Sequence, residues 1–188
     1  SIENVFSEDA INIIESNFTL NNCLIKNTNS DGIDTDFSEG VIKNCKFKNI
    51  GILGGGDAVD FSGSKINIEN SNFNLISDKA ISSGEKSNVK VDNIIIENSS
   101  VGIASKDKSK VEVINSLIKN TNYAPLMAYV KKQEYGGASI IVLNSQINSQ
   151  ELSKSDINSK IVIDGNLLDK SKVDTKELYD TIMKPSRN

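Results

Sequence analysis

The stretch Val-Glu-Val-Ile-Asn-Ser-Leu-Ile-Lys-Asn, residues 111–120, determines the fold. Apolar and polar side chains alternate on both sides of its first asparagine, which is the period of a β-strand. The same arrangement recurs along the chain around Asn22, Asn44, Asn70, Asn93, Asn115 and Asn144. These asparagines are separated by 22, 26, 23, 22 and 29 residues. A period of this length is typical of a solenoid, in which each repeat covers the core of the next.

Each repeat of roughly 22 residues also opens with a third alternating segment, as in Gly32-Ile33, Ala58-Val59 and Ala80-Ile81. Three short strands per repeat, rich in β-branched residues and without a 3.6-residue spacing, exclude a helical repeat. The sequence therefore predicts an all-β, single-stranded parallel β-helix of about seven coils, the last of them a weaker copy at Ile161 and Ile163. We expect the recurring asparagines to point inward at tight turns and to hydrogen-bond with one another from coil to coil.

The combined pattern, Gly-Ile followed by Val-x-Val-x-Asn-Ser-x-Ile-x-Asn, resembles the right-handed parallel β-helix proteins of the pectate-lyase-like superfamily over nearly the whole chain. Segments 30–38 and 56–64 are similar to β-helix regions of large bacterial exported or surface proteins, some with CotH-like or lamin-tail-like domains. The resemblance implies right-handedness and an extracellular or cell-surface location, and it implies no established activity.

The chain divides into a β-helix over residues 1–172 and a helix with a tail over 173–188. Asp174, with Glu177 three residues later, fits a helix N-cap. The short amphipathic helix is expected to cap the last coil, or alternatively to dock a partner. Residues 1–8 begin in mid-pattern, which predicts that this is a fragment whose preceding polypeptide would be a neighbour of the first coil.

The amino-acid composition excludes several kinds of functional site. The chain has no histidine, so a Ser-His-Asp triad and an imidazole zinc site are excluded. A net charge of −4 gives no support for nucleic-acid binding, and no apolar run is long enough to predict membrane insertion.

Several carboxylates are expected to face outward on the first strand of each coil. Asp34 and Asp60 would lie side by side in adjacent coils, with Asp36 two residues further along the strand. Carboxylate oxygens at this spacing could bind Ca²⁺ and assist saccharide binding. The alternative is a hydrated acidic stripe that keeps the rod soluble.

Segments 29–34 and 56–59 resemble the Asn-Thr-Asp-Gly and Gly-Asp-Asp segments of polygalacturonases. The resemblance implies Asp31 and Asp57 as acid and base, with Lys106 remaining from the family's Arg-Ile-Lys segment. The family's histidine has no counterpart, and Ala104 stands at its arginine position, so recognition of a uronic acid would be lost.

A second group of side chains is expected to converge from successive turns and to form a sugar-binding surface. Together with Asp34 and Asp60, its members are Lys79, Glu85, Lys106, Asp107, Tyr129, Lys131, Lys132, Glu134 and Tyr135. Tyrosines beside lysines and carboxylates suit sugar stacking and hydrogen bonding, and a lysine could act in a β-elimination. The alternative is simple charge balance between lysines and glutamates on adjacent coils.

Cys23 and Cys45 occupy equivalent positions, and buried free thiols are favoured over a disulfide because parallel Cβ vectors lie far apart. The leading hypothesis is a polysaccharide-binding module of a larger exported protein. The alternatives are a polysaccharide lyase or glycoside hydrolase with a reduced site, and a structural rod.

Overall fold

Alternating β-branched residues form three short strands in each coil of a right-handed parallel solenoid, as the sequence predicts. The structure is a computed structural model that describes residues 1–182. Within this range the strands are β1 (Ile2–Val5), β2 (Asp9–Ile14), β3 (Asn17–Asn21), β4 (Leu24–Thr28), β5 (Asp31–Asp36), β6 (Glu39–Lys43), β7 (Lys46–Ile50), β8 (Val59–Ser62), β9 (Lys65–Glu69), β10 (Asn72–Gly84), β11 (Asn88–Asp92), β12 (Ile95–Lys106), β13 (Lys110–Ile114), β14 (Leu117–Tyr129), β15 (Ser139–Leu143), β16 (Gln146–Asn148), β17 (Lys154–Ser155), β18 (Lys160–Ile163) and β19 (Asn166–Leu167).

The strands stack into three faces that run along the solenoid. The first face contains β2, β5, β8, the second halves of β10, β12 and β14, and β17. The second face runs from β3 through β6, β9, β11, β13 and β15 to β18, where the antiparallel strand β19 ends the sheet. The third face contains β1, β4, β7, the first halves of the three long strands, and β16. Coils are numbered by their first-face strands, so that coil 1 begins with β2 and coil 7 with β17.

Inward side chains of the same kind stack from coil to coil and form the core. Ile33 pairs with Val59 and Val59 with Ile81, and all three are fully buried. On the third face the rings of Phe47 and Phe73 stack with their centroids 4.7 Å apart and only 2° between their planes. The parallel register fixes these stacks, because a shift of one residue would turn every core side chain outward.

The recurring asparagines contribute to ladders of side-chain hydrogen bonds between coils, but they do not point inward as predicted, and some of them bond to the residue before the equivalent asparagine, as Asn44 does to Asn21 and Asn115 to Asp92. Asn22, Asn44 and their equivalents adopt left-handed backbone conformations with φ between 46° and 56°, and all six are exposed. Their amides bond along the outside of the turn, for example from Asn93 Nδ2 to Asn70 Oδ1 at 2.7 Å. The reason is that a left-handed residue reverses the alternation of side-chain directions, so that the residue after each asparagine points inward instead.

Serine, rather than asparagine, satisfies the buried backbone groups of the turns. At the turn between the first and second faces, the N–H of Ser38 donates to Ser64 Oγ, that of Ser64 to Ser87 Oγ and that of Ser87 to Ser109 Oγ, at 3.0–3.1 Å. Each hydroxyl in the middle of this serine ladder also donates to a carbonyl of its own turn, such as Ser64 Oγ to Ser62 O at 3.0 Å. The serine hydroxyl therefore satisfies a buried N–H of the preceding coil and a carbonyl of its own turn at the same time.

The C-terminal segment, residues 173–182, lies on the side of the solenoid. Asp174 caps the short helix Thr175–Glu177 by accepting the N–H of Glu177 at 3.1 Å, as predicted, and a π-helical turn, Leu178–Ile182, follows. The expected cap over the last coil is not what the structure shows, because Leu178 packs on the first face against Val101, Ala104 and Met127. The apolar side of the helix meets an apolar surface there rather than the end of the last coil.

We expect Ser64→Ala to lower the stability of the solenoid. The change removes the acceptor of the Ser38 N–H, and leaving a buried donor unpaired costs about 1–3 kcal/mol. Ser139→Ala is the matched control, since that side chain is only half-buried on the outside of β15. Urea denaturation followed by circular dichroism measures both; equal midpoints for the two variants would contradict the role of the ladder.

Candidate functional site

The outward side chains of the first face form rows that run from coil to coil. One row passes from Asn12 to Asp34 and Asp60, and continues through Ser82, Ala104 and Met127. A second row contains Ile14, Asp36 and Ser62, then Gly84. The face therefore carries Asn12 and the exposed Ile14 in coil 1, is acidic in coils 2 and 3, and becomes apolar in coils 5 and 6.

The C-terminal segment covers the apolar part of this face. The covered surface consists of five fully buried residues: Val101, Ala104, Ala124, Met127 and Tyr129. Leu178 is buried against it, and the hydroxyl of Tyr179 lies 2.9 Å from that of Tyr129. The acidic part, which we call the open strip, has side chains that remain at least partly accessible: Asn12, Asp34, Asp36, Asp60 and Ser62.

A buried ion cluster lies between these two parts. Lys79 Nζ is 3.0 Å from Asp57 Oδ1 and 2.5 Å from Asp78 Oδ2, and all three side chains are at most 6% exposed. Burial opposes the charge on Lys79, but Asp57 and Asp78 outweigh it and raise its pKa, so the ammonium group stays charged. Burial raises the pKa of Asp57 well above its usual value, although Lys79 counteracts this. One cation is thus shared by two carboxyl groups in a site closed to water.

A second ion pair, in which Lys106 is buried and Asp60 is partly accessible, spans two coil steps. Lys106 in coil 5 passes beside Gly84, and its Nζ lies 3.5 Å from Asp60 Oδ1 in coil 3. Burial by itself would raise the pKa of Asp60, but Lys106 and Lys79 lower it below its usual value. The pKa of Lys106 is raised, since Asp60 outweighs the effect of burial. Asp60 is therefore an ionised carboxylate whose charge is already partnered.

The two predicted catalytic carboxylates, Asp31 and Asp57, bond the backbone of the following coil. Asp31 Oδ1 accepts the N–H of Asp57 at 2.8 Å, and Asp57 Oδ1 accepts the N–H of Lys79 at 2.9 Å. Lys106, the third predicted catalytic residue, is 5% exposed and paired with Asp60. The structure brings these groups into one neighbourhood, but each is engaged in holding coils together.

The predicted Ca²⁺ ligands do not converge. Asp34 lies beside Asp60 in register, but Asp60 pairs with Lys106, and Asp36 lies next to Ser62. Within residues 1–182, no three carboxylate or thiol side chains are arranged to hold a metal ion. Burial, followed by repulsion from Asp60 and Asp36, raises the pKa of Asp34 to about 6, which is the result expected of close carboxylates that share no cation.

The predicted sugar-binding residues separate into buried and accessible groups. Lys79, Lys106, Asp107 and Tyr129 were expected at the surface, but the structure buries them to 5% exposure or less. Asp107 Oδ1 accepts the N–H groups of Lys131 and Lys132, each at 2.7 Å, and so holds the loop that follows β14. The accessible members are Glu85, Lys131, Lys132, Glu134 and Tyr135.

The accessible members surround the loop after β14. Tyr179, which the sequence analysis did not assign to the site, lies beside them. Lys132 pairs with Glu85, and Lys86 Nζ lies 5.4 Å from the centre of the Tyr135 ring. Lys131 Nζ lies 4.4 Å from the centre of the Tyr179 ring, a cation–π distance. Tyr179 belongs to the short helical segment that the sequence predicts within residues 173–188, and the sequence feature that agrees with its position is the apolar character of Val101, Ala104 and Met127 on the first face.

Comparison with protein families agrees with this architecture. The family model described as right-handed beta helix region matches residues 10–176. The chain belongs to the right-handed β-helix family. Among solved structures, this β-helix is similar to full-length tailspike protein 2 (TSP2, ORF211) of Escherichia coli O157:H7 bacteriophage CAB120, with a TM-score of 0.55 and 10% identity. The match covers 84% of this chain and 29% of the tailspike chain, so it supports the fold alone.

Other comparisons add little to the assignment of the β-helix. The plasmid-mediated fluoroquinolone resistance protein QnrB1 aligns over 79% of this chain and 91% of its own with 10% identity, but with a TM-score of 0.21. No curated protein sequence gives a significant match. None of the helices within residues 1–182 is long and apolar enough to cross a membrane.

We expect Lys79→Ala to be among the most destabilising substitutions in this β-helix. Removing the shared cation leaves Asp57 and Asp78 buried and uncompensated, which costs about 3–5 kcal/mol. The matched control is Lys119→Ala, whose partner Glu97 lies 2.8 Å away in a more exposed pair and which should cost at most about 1 kcal/mol. Thermal unfolding would count against the ion cluster if both variants lost the same stability.

Asp31 should make the stability depend on pH. Burial, with repulsion from Asp60 and Asp9, raises the pKa of its carboxyl from 3.8 to about 7. The folded protein then retains a proton that the unfolded chain loses, so the stabilisation is present at about pH 4 and is lost as the pH rises through about 7. Asp31→Asn keeps the acceptor for the Asp57 N–H but does not titrate.

The variant Asp31→Asn should therefore unfold at a higher temperature than the parent protein at about pH 8, with a smaller difference at about pH 5. Melting temperatures of both proteins at the two pH values measure the effect. An identical difference at both pH values would show that Asp31 does not titrate in this range.

Proposed function

We propose that this β-helix binds a polysaccharide along the open strip of its first face. The observation that carries the proposal is the division of that face: coils 5 and 6 are covered by the protein's own C-terminal segment, and coils 1–3 present an uncovered row of hydrogen-bonding side chains. Successive coils repeat at about 4.8 Å. This spacing is comparable with the length of one sugar ring, so equivalent groups in adjacent coils could meet successive sugars.

The chemistry of the open strip suits sugar hydroxyl groups. Asp34 and Asp36 offer carboxylate oxygens as acceptors, and Asn12 and Ser62 can both donate and accept. These side chains are half-buried or exposed, so their orientation is partly fixed by their neighbours while the polar ends stay in contact with solvent. A ligand with many hydroxyl groups would pair with them at a small cost in side-chain entropy.

An aromatic side chain borders the strip. Phe37 is 63% exposed, which is unusual for so large an apolar side chain, and its backbone has a left-handed φ of 48°. Its ring lies over Gly63 in the next coil, where an added Cβ would come within 2.6 Å of the ring. The ring therefore packs against the backbone of the next coil at the edge of the strip, and its exposed surface is available to stack on a sugar.

The proposal concerns binding and not catalysis. Asp57 and Lys106, the residues on which a lyase or hydrolase mechanism would depend, are buried and already paired with other groups. An extracellular or cell-surface location is part of the same proposal, since polysaccharides of cell walls and capsules are found there. A purely structural rod remains the competing function, and it predicts no glycan binding on any face.

The test is a glycan array probed with the labelled protein, followed by calorimetry with the glycan that binds best. Phe37→Asn should weaken binding roughly tenfold, which corresponds to the loss of about 1.4 kcal/mol from one stacked ring. Asparagine tolerates the left-handed conformation, so the turn is preserved. Asp34→Ala should have a comparable effect, because it removes a central acceptor from the strip.

The control is Lys90→Ala on the second face, where the side chain makes only an exposed contact of 3.8 Å with Glu112. This variant should bind as the parent protein does. Unchanged affinity in both Phe37→Asn and Asp34→Ala would place the binding site elsewhere, and no binding to any glycan would favour the rod.

A further inference from the structure

The two cysteines of the chain meet in the folded protein. Cys23 and Cys45 follow the left-handed residues Asn22 and Asn44 at the turn between the second and third faces, in coils 1 and 2. Their sulfur atoms lie 2.8 Å apart. This separation is shorter than an ordinary non-bonded contact between two sulfurs and approaches the disulfide bond length of about 2.05 Å.

Both cysteines are free thiols in the structure, as the sequence predicts, but the position of the pair shows why a disulfide can form between them. The earlier expectation assumed parallel Cβ vectors on neighbouring strands, but both cysteines lie at a turn just after a left-handed residue. Backbone hydrogen bonds on either side of the pair hold the two coils together, from Asn22 N–H to Lys43 O at 3.0 Å and from Lys46 N–H to Cys23 O at 2.8 Å. One coil spacing of about 4.8 Å lies within the Cα separations that disulfides accept.

Three other coils use serine where these two use cysteine, and coil 4 has Ile94 there. Ser71, Ser116 and Ser145 occupy the equivalent position, and their hydroxyls accept an N–H from the preceding coil. Sulfur is a much weaker acceptor than a hydroxyl oxygen, so a cysteine there gives up part of a ladder bond. Cys45 Sγ instead contacts Cys23 Sγ and lies 3.3 Å from the carbonyl oxygen of Lys43. Because Ile94 is also accommodated at this position, the serine bond is not required there, and the two cysteines contact each other instead.

We propose that Cys23 and Cys45 are a modification site at which a disulfide bond joins coils 1 and 2. A small-molecule disulfide is the oxidant. The partly accessible Cys23 attacks it as a thiolate, forms a mixed disulfide and releases one thiol. Cys45, which is 1% exposed, then attacks Cys23 Sγ and releases the second thiol. The protein loses two electrons and two protons, and the oxidant gains them as two thiols.

The bond would stabilise the part of the solenoid that carries the open strip. In coil 1, strands β2 and β3 each pair with coil 2 on one side, and among residues 1–182 they have no strand partner on the other. A cross-link between coils 1 and 2 reduces the entropy of the unfolded chain and resists opening at this edge. Disulfides persist in oxidising compartments, so the inference also supports a location outside the cytoplasm, independently of any glycan binding.

The experiment compares fully reduced protein with protein treated with oxidised glutathione. Burial, with the neighbouring Cys45 thiol, raises the pKa of Cys23 to about 12, so the exchange is run at mildly alkaline pH to increase the thiolate fraction. The treated protein is then unfolded in the presence of iodoacetamide. We expect no alkylation, a monomer whose mass is lower by two hydrogen atoms, and a cross-linked peptide that contains both cysteines.

Oxidation should also raise the melting temperature by roughly 5–10 °C, as expected for a loop of this size. Cys23→Ser and Cys45→Ser are the matched controls, since serine is the residue of the equivalent coils, and neither should show a rise. Alkylation of both cysteines after oxidation, a persistent glutathione adduct on either one, or disulfide-linked dimers would overturn the proposal. So would an intramolecular disulfide that leaves the melting temperature unchanged.

Discussion

Many of the buried backbone N–H groups at the turns of this protein donate to a side chain one coil away. The serine ladder is the simplest example, since each hydroxyl accepts an N–H from the preceding coil. Asp31 and Asp57 do the same with their carboxylates, and the ion cluster around Lys79 extends the pattern to charges. Because both partners belong to neighbouring coils, these bonds form only when the register is correct, and they make each coil depend on the next.

The sequence predicts the strands, the register and the coil number because all three follow from a local period. Ile33, Val59 and Ile81 align by spacing alone, and the structure stacks them. The direction of Asn22 could not be read in the same way. Alternation carried through the turn points it inward, whereas its left-handed backbone reverses the alternation and places Cys23 inward. A period reveals which residues are equivalent, but the backbone conformation at the turn decides which way they face.

The site was harder to predict than the fold because it depends on a contact between distant segments. Asp34 and Asp60 are neighbours through the repeat, and that juxtaposition follows from the sequence. The burial of Tyr129 and Lys79 depends on Tyr179, which lies 50 residues after Tyr129 and outside the repeat. The repeat pattern of a solenoid predicts which residues of successive coils are neighbours, but it does not predict where a segment outside the repeat will lie. The apolar outward residues Ala104 and Met127 are the sequence feature that agrees with a covering segment on this face.

The C-terminal segment also gives the solenoid a polarity along its axis. The first face is open at coil 1 and obstructed from coil 5 onward, so its two ends are not equivalent. Under the proposed function, a linear polymer lying along the open strip would meet the covered part of the face at one end only. Binding in that case would depend on the direction of the polysaccharide, whose two ends are chemically different.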